Sequence, residues 1–167
     1  MTVIATAACA CGNVEFHARG APIVSAACYC DDCHAGSRQI EALPNAAPAL
    51  DADGGSAYIL YRKDRVTCTK GSSLLKNYKI RADSKTNRVV ASCCNSAMML
   101  SFEDSRHWVT MFRKRFSGEL PPLEMRICTK FKPENVELPN DLPSYKVFSF
   151  KFIGRLLAAR IAMLLGR

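Results

Sequence analysis

The sequence predicts a mainly β domain that uses cysteines as metal ligands and ends in an amphipathic helix. Three observations lead there. Short segments of period two, separated by turn residues, fill most of the first 140 residues; cysteines fall into three tight clusters; and the last twenty residues switch to a helical apolar period. The 167 residues suffice for one domain and a short appendage. We therefore expect a domain over 1–140 and a basic amphipathic tail over 141–167.

In chain order, Asn13-Val14-Glu15-Phe16-His17-Ala18 alternates polar and apolar residues, as a half-buried strand does. Residues 42–55, with Pro44 and Pro48, read as loop, and Asp53-Gly54-Gly55-Ser56 closes it with a turn signal. Tyr58-Ile59-Leu60-Tyr61 and Arg88-Val89-Val90-Ala91 are strands rich in β-branched or aromatic residues, with a turn at Lys70-Gly71-Ser72 between them. Pro121-Pro122, Pro133, Pro139 and Pro143 break up the later region. From Phe152 to Leu165 the wheel at ~100° per residue gathers Ile153, Leu157, Ile161 and Leu164 on one side, and Lys151, Arg155, Ala159 and Ala162 on the other. That run is too short and too interrupted by arginine to span a bilayer. It can pack on its own domain, pair with a second copy in a homodimer, or rest on an anionic membrane surface as a peripheral contact.

Composition narrows the function classes. With 49% hydrophobic and 23% charged residues the chain can bury a core. Its net charge of +8 is uneven: residues 57–90 hold nine basic side chains against Asp64 and Asp83, and residues 141–167 hold five against Asp141. These surfaces favour anionic partners. Tyr58, Tyr61 and Tyr78 interleave with the basic strands, yet no helix-turn-helix, finger spacing or ribonucleoprotein pattern supports nucleic acid as a partner. The chain has no G-x-x-x-x-G-K-[ST], H-E-x-x-H or G-x-S-x-G pattern, so phosphate-loop, zincin and α/β-hydrolase chemistry have no foothold. The start, Met1 to Ala8, has no basic residue, and Cys9 interrupts any signal core, so a cytoplasmic protein is expected.

The nine cysteines carry the chemistry. Cys9-Ala10-Cys11-Gly12, Cys28-Tyr29-Cys30-Asp31-Asp32-Cys33 and Cys93-Cys94-Asn95-Ser96 form three clusters. An odd count and two cramped Cys-x-Cys pairs favour metal over disulfides. Thiolates are soft, tetrahedral ligands for Zn²⁺, and ligands on one tight turn reach one ion with little lost chain entropy. Three from a single loop, Cys28, Cys30 and Cys33, leave a fourth position for water, a substrate thiol or a distant side chain. His34 reads as an ordinary histidine beside that loop, with ligation the alternative; Asp31 and Asp32 read as solvated turn carboxylates, with acid–base work the alternative. Cys68 and Cys128 read as isolated buried thiols in strands, and His107-Trp108 as a packing pair.

The run Cys9-x-Cys11-Gly12-x-Val14-x-Phe16, followed by Cys28-x-Cys30-x-x-Cys33, resembles the family of glutathione-dependent formaldehyde-activating enzymes and centromere protein V. The resemblance covers about residues 7–100. It implies an Mss4-like β fold, Zn²⁺ as cofactor, and carbon–sulfur lyase chemistry on a small anionic thiol such as glutathione. It also implies a structural zinc on Cys9 and Cys11 and a catalytic zinc on Cys28, Cys30 and Cys33. The third cluster departs from the family's Cys-x-x-Cys-Gly-Ser: here Ala91-Ser92-Cys93-Cys94-Asn95-Ser96 keeps Cys94, offers Cys93 as the replacement ligand, and puts Asn95 in place of glycine. Asparagine tolerates the left-handed backbone, so the turn is expected to survive. The competing functional class is a non-catalytic zinc module that binds a protein or an anionic membrane surface through the basic strands and tail.

Overall fold

A computed structural model describes residues 4–166; residues 1–3 and 167, the outer ends of the two expected segments, lie outside the described residues. The elements run β1 (Ile4–Ala8), β2 (Glu15–Arg19), β3 (Val24–Cys28), α1 (Asp31–Glu41), β4 (Ser56–Arg62), β5 (Val66–Lys70), β6 (Leu75–Tyr78), β7 (Thr86–Ala91), β8 (Ser96–Phe102), β9 (Trp108–Phe112), β10 (Met125–Ile127) and α2 (Phe150–Leu164). The mainly β class and the C-terminal helix stand as read. The three expected strands appear as β2, β4 and β7, and residues 42–55 form the loop that their prolines demand.

A small sheet of order β1-β2-β5 packs near a seven-stranded sheet of order β10-β3-β4-β9-β8-β7-β6. All pairings are antiparallel except β10 with β3, where Ile127 lies opposite Cys28. β4 is the central organiser. Its even residues Tyr58 and Leu60 enter one core with Val24, Ala26, Cys28 and Phe112. Its odd residues Ile59 and Tyr61 enter a second core with Phe16, Met98 and Met111. Side chains of successive strand residues point to opposite faces, so one strand serves both cores.

α1 was not expected from the sequence. Its segment is polar and carries Gly36 at mid-helix, and its apolar period is weak. What it has is end chemistry: Cys30 accepts a hydrogen bond from the Cys33 N–H as N-cap, Asp31 and Asp32 fill the first turn, and Arg38 the last. That charge order opposes the helix dipole favourably and was the readable signal. Gly36 has a packing reason: a Cβ there would lie 1.6 Å from Arg88 Nε.

α2 docks on the domain, but not through the stripe seen on the wheel. The stripe Ile153, Leu157, Ile161 and Leu164 faces outward, with Leu157, Ile161 and Leu164 respectively 60%, 58% and 73% exposed. The helix docks by the neighbouring face instead, through Phe152 (6% exposed) and Leu156. The His107 ring N–H donates to the Leu156 carbonyl at 2.8 Å; burial lowers this histidine's pKa, which suits the neutral donor. Arg155 pairs with Glu124, and Arg160 donates to the Ser105 carbonyl. His107 and Trp108 form the edge-to-face pair that was expected, with ring centroids 5.0 Å apart. None of the described helices is long and apolar enough to cross a membrane.

Phe152 is thus the anchor of α2. Phe152→Ala should lower stability by about 3 kcal/mol in a denaturant titration, the usual cost of emptying a buried phenylalanine site. A loss below about 1 kcal/mol would mean that the helix is held by its polar tethers alone.

Candidate functional site

Two thiol clusters form, one in each core. In the first, the turn after β1 and the turn between β7 and β8 meet edge to edge. Cys9 Sγ lies 3.6 Å from Cys11 Sγ and 3.8 Å from Cys93 Sγ, Cys11 and Cys93 are 3.3 Å apart, and Cys93 and Cys94 are 4.0 Å apart. Four sulfurs bound tetrahedrally at the ordinary Zn–S length of ~2.3 Å would sit about 3.8 Å apart. The four thiols fit one such ion by spacing and by donor chemistry. The adjacent pair manages this because Asn95 takes the left-handed conformation at φ 52°, as expected of a glycine substitute. Its side-chain amide is tied to the Pro44 carbonyl at 2.9 Å.

Neighbouring groups tune this cluster. The Val14 N–H donates to Cys9 Sγ at 3.3 Å, and the Ser96 hydroxyl sits 3.1 Å from Cys94 Sγ and accepts from the Ala10 N–H. Burial pushes the Cys93 thiol up to about 12, with the Cys11 and Cys9 thiols adding to the effect. Cys94 is opposed by burial, yet the Ser96 hydroxyl and the Cys11 contacts bring it down to about 6. Arg115, held partly by the Pro48 carbonyl, stands close enough to feel the charge of Cys94 and Cys9. It supplies a cation beside a cluster of thiolates. No sequence signal pointed to it, because only the fold returns residue 115 to this turn.

The second cluster is built by a strand running into a helix. β3 ends at Cys28, Cys30 caps α1 and Cys33 is in its first turn, so three sulfurs gather within 4.8 Å of one another. Hydrogen bonds from Cys28 and then Cys33 hold the Cys30 thiol down to about 3. Cys28 is pushed up, first by Cys128 and then by Cys30. Cys128 therefore is not the isolated thiol in a strand that was expected. It follows β10, adopts a left-handed φ of 59°, and lies against Cys28 because β10 pairs with β3 in register Ile127 to Cys28. It is buried, whereas Cys68 is only half-buried in β5 and donates to the Lys70 carbonyl. His34 lies in α1, where Arg38 donates to its ring at 3.4 Å, and it is outside the thiol group. Asp31 is exposed; Asp32 gives its backbone carbonyl to Arg88 and its carboxylate to a long, exposed pair with Arg81.

This second cluster lines a cavity of about 240 Å³. Its walls are Leu60, Leu100, Phe102, Trp108, Phe148 and Phe152, and Tyr58 lies beside Cys33. Burial and the neighbouring Cys33 charge keep the Tyr58 phenol well above its usual range and so protonated. Of the basic segment 57–90, the cavity receives Arg88; much of the rest is taken up by local pairing, as Arg62 with Asp64 and Lys79 with Glu103.

A search of curated proteins finds none that matches the chain. A crystal structure of a Rhodobacter sphaeroides protein from a structural genomics programme is similar at 13% identity and a TM-score of 0.49, covering 70% of this chain and 91% of that one. The family model described as glutathione-dependent formaldehyde-activating enzyme matches residues 4–114. That match takes in β1 through β9 and both thiol clusters, and more than half of the sequence. The chain belongs to the glutathione-dependent formaldehyde-activating enzyme family.

Proposed function

We propose that the chain is a zinc-dependent enzyme of the carbon–sulfur lyase type, acting on the adduct of a small thiol and an aldehyde. The observation that carries this reading is the contrast in donor number. The cluster of Cys9, Cys11, Cys93 and Cys94 offers four thiols, a closed structural set, while Cys28, Cys30 and Cys33 offer three at a cavity wall. A zinc ion on the three-thiol set would act as a Lewis acid with one position left for an outside ligand. Adduct formation joins the thiol sulfur to the aldehyde carbon and moves the thiol proton to the carbonyl oxygen; the reverse breaks the carbon–sulfur bond, returns the hydroxyl proton to sulfur and releases both molecules. The chain's own residues hold the reactants: the apolar walls exclude water, and protonated Tyr58 is available as a hydrogen-bond donor beside Cys33. Thiols kept free for metal suit a reducing compartment, so we place the protein in the cytoplasm.

The tail supports a second element of the proposal. Phe150 is 95% exposed, and with Leu157, Ile161 and Leu164 it forms an outward apolar stripe on a tail that also carries exposed Lys146 and Lys151. An anionic membrane surface complements both the stripe and its charge. We keep the boundary at about residue 140, with the thiols in the domain and the tail giving Phe148 and Phe152 to the cavity and its outer face to surface contact.

Three outcomes test these readings. Elemental analysis of anaerobically purified protein should find roughly two zinc ions per chain, falling to roughly one in Cys94→Ala; a single zinc unchanged by that substitution would remove the four-thiol site. Cys30→Ser should keep its melting transition, because serine also caps a helix, while turnover of a hydroxymethyl thiol adduct drops on the order of 100-fold. Retained turnover would contradict the lyase reading. Leu157→Glu with Ile161→Glu should weaken binding to phosphatidylserine vesicles by at least about tenfold. If binding is unchanged and light scattering shows a dimer lost instead, the stripe joins two copies.

A further inference from the structure

Arg88 is the least explained charge in the molecule. Its side chain is 3% exposed and lies in the three-thiol cavity. Nη2 donates to the Asp32 carbonyl at 2.6 Å, whereas Nη1 is buried without a hydrogen-bond partner. No carboxylate pairs with it among the described residues; the neighbouring carboxylate of Asp32 turns to Arg81. The other cationic residue of the cavity, Arg106, is already satisfied by Asp104 and lies over the Phe102 ring at 4.0 Å. The fold also makes room for Arg88 deliberately in steric terms: any side chain at Gly36 would collide with its guanidinium. A buried guanidinium whose Nη1 amino group is unsatisfied costs free energy, and an anion entering the cavity would recover it.

Around that charge the cavity is mainly apolar: Ser84, Thr86 and Thr110 add hydroxyl groups, and the side chains of Asp32 and Arg106 already pair with Arg81 and Asp104. Leu60, Leu100, Phe102, Trp108, Phe148 and Phe152 offer no partner for an ammonium group or a second carboxylate. The part of a substrate that rests on these six side chains is best apolar, since a charge placed there would stay unpaired. We propose that the three-thiol cavity selects a thiol substrate with a compact aromatic or branched aliphatic body and a single carboxylate, and that Arg88 binds the carboxylate through Nη1. This rests on the reading of the cavity as the substrate site. Arg88 is a specificity residue in this scheme, setting which thiol is accepted, and the apolar walls hold the body so that sulfur faces Cys28, Cys30 and Cys33.

The chain's single tryptophan, Trp108, lines the cavity and reports on its occupancy. The full-length, metal-loaded protein is titrated with 3-phenylpropanoate, with 3-phenylpropanol as its neutral counterpart, and with 3-phenylpropylamine as its cationic one, following Trp108 emission. The acid should bind roughly 10- to 100-fold more tightly than the alcohol, the margin of a charge-assisted hydrogen bond, and the amine should be weakest. Arg88→Met should erase the acid's advantage while leaving alcohol binding in place, and Arg88→Lys should restore part of it. Equal binding of acid and alcohol by the wild-type protein overturns the proposal, and that comparison needs no variant to fold. Acid preference that survives in a folded Arg88→Met protein overturns it as well. The readout is independent of turnover: acid-selective binding without lyase activity would sink the enzyme reading alone, whereas lyase activity without acid preference would sink only the Arg88 assignment.

Discussion

The alternation of side chains along β4 is the constraint on which the rest of the architecture depends. A strand buried on both faces must supply apolar residues at every position, and Tyr58-Ile59-Leu60-Tyr61 does so without a break. Because Tyr58 and Leu60 serve one core and Ile59 and Tyr61 the other, the small sheet and the helices are forced to opposite sides. Each thiol cluster is then fixed to its own side: Cys9 and Cys94 pack with the core of Ile59, while Cys28, Cys30 and Cys33 pack with that of Tyr58. The separation leaves four thiols outside the cavity, where two turns meet, and three thiols in its wall.

Both clusters place several thiols in contact, which is unfavourable for them all to be charged without a cation. That is visible in the split within each group, where one sulfur is drawn toward the thiolate and its neighbour is pushed toward the thiol. Metal binding would remove the conflict, so the free energy of loading the sites belongs to the free energy of folding. Arg115 near the Cys9 cluster serves the same electrostatic end.

The clusters were legible in the sequence because Cys-x-Cys and Cys-x-x-Cys spacings are local statements, and most of their thiols sit on tight turns. Strands β2, β4 and β7 were legible from period and residue type. What escaped were features created by non-local pairing. Cys128 reaches Cys28 only through the parallel register of β10 with β3, and Arg88 is one basic residue among nine until the fold buries it against Gly36. α1 escaped for another reason: polar faces and capping chemistry define it, and a search for apolar periodicity passes over both. The wheel of α2 was drawn correctly but says nothing about which face the domain covers; Phe152, just outside the expected stripe, decides it.

The docking of α2 has a practical consequence. Phe148 and Phe152 are walls of the cavity, yet they belong to the segment that a domain boundary near residue 140 would discard. A shortened chain ending there keeps both thiol clusters and would pass a metal assay, while its cavity would lie open to water on one side. One helix therefore carries both the exposed stripe and a wall of the cavity, and the Leu156 and Arg155 contacts fix it to the domain. Substitutions on the outer face of this helix and on its inner face are thus separate experiments on one element: the first alters exposed surface, the second the cavity wall.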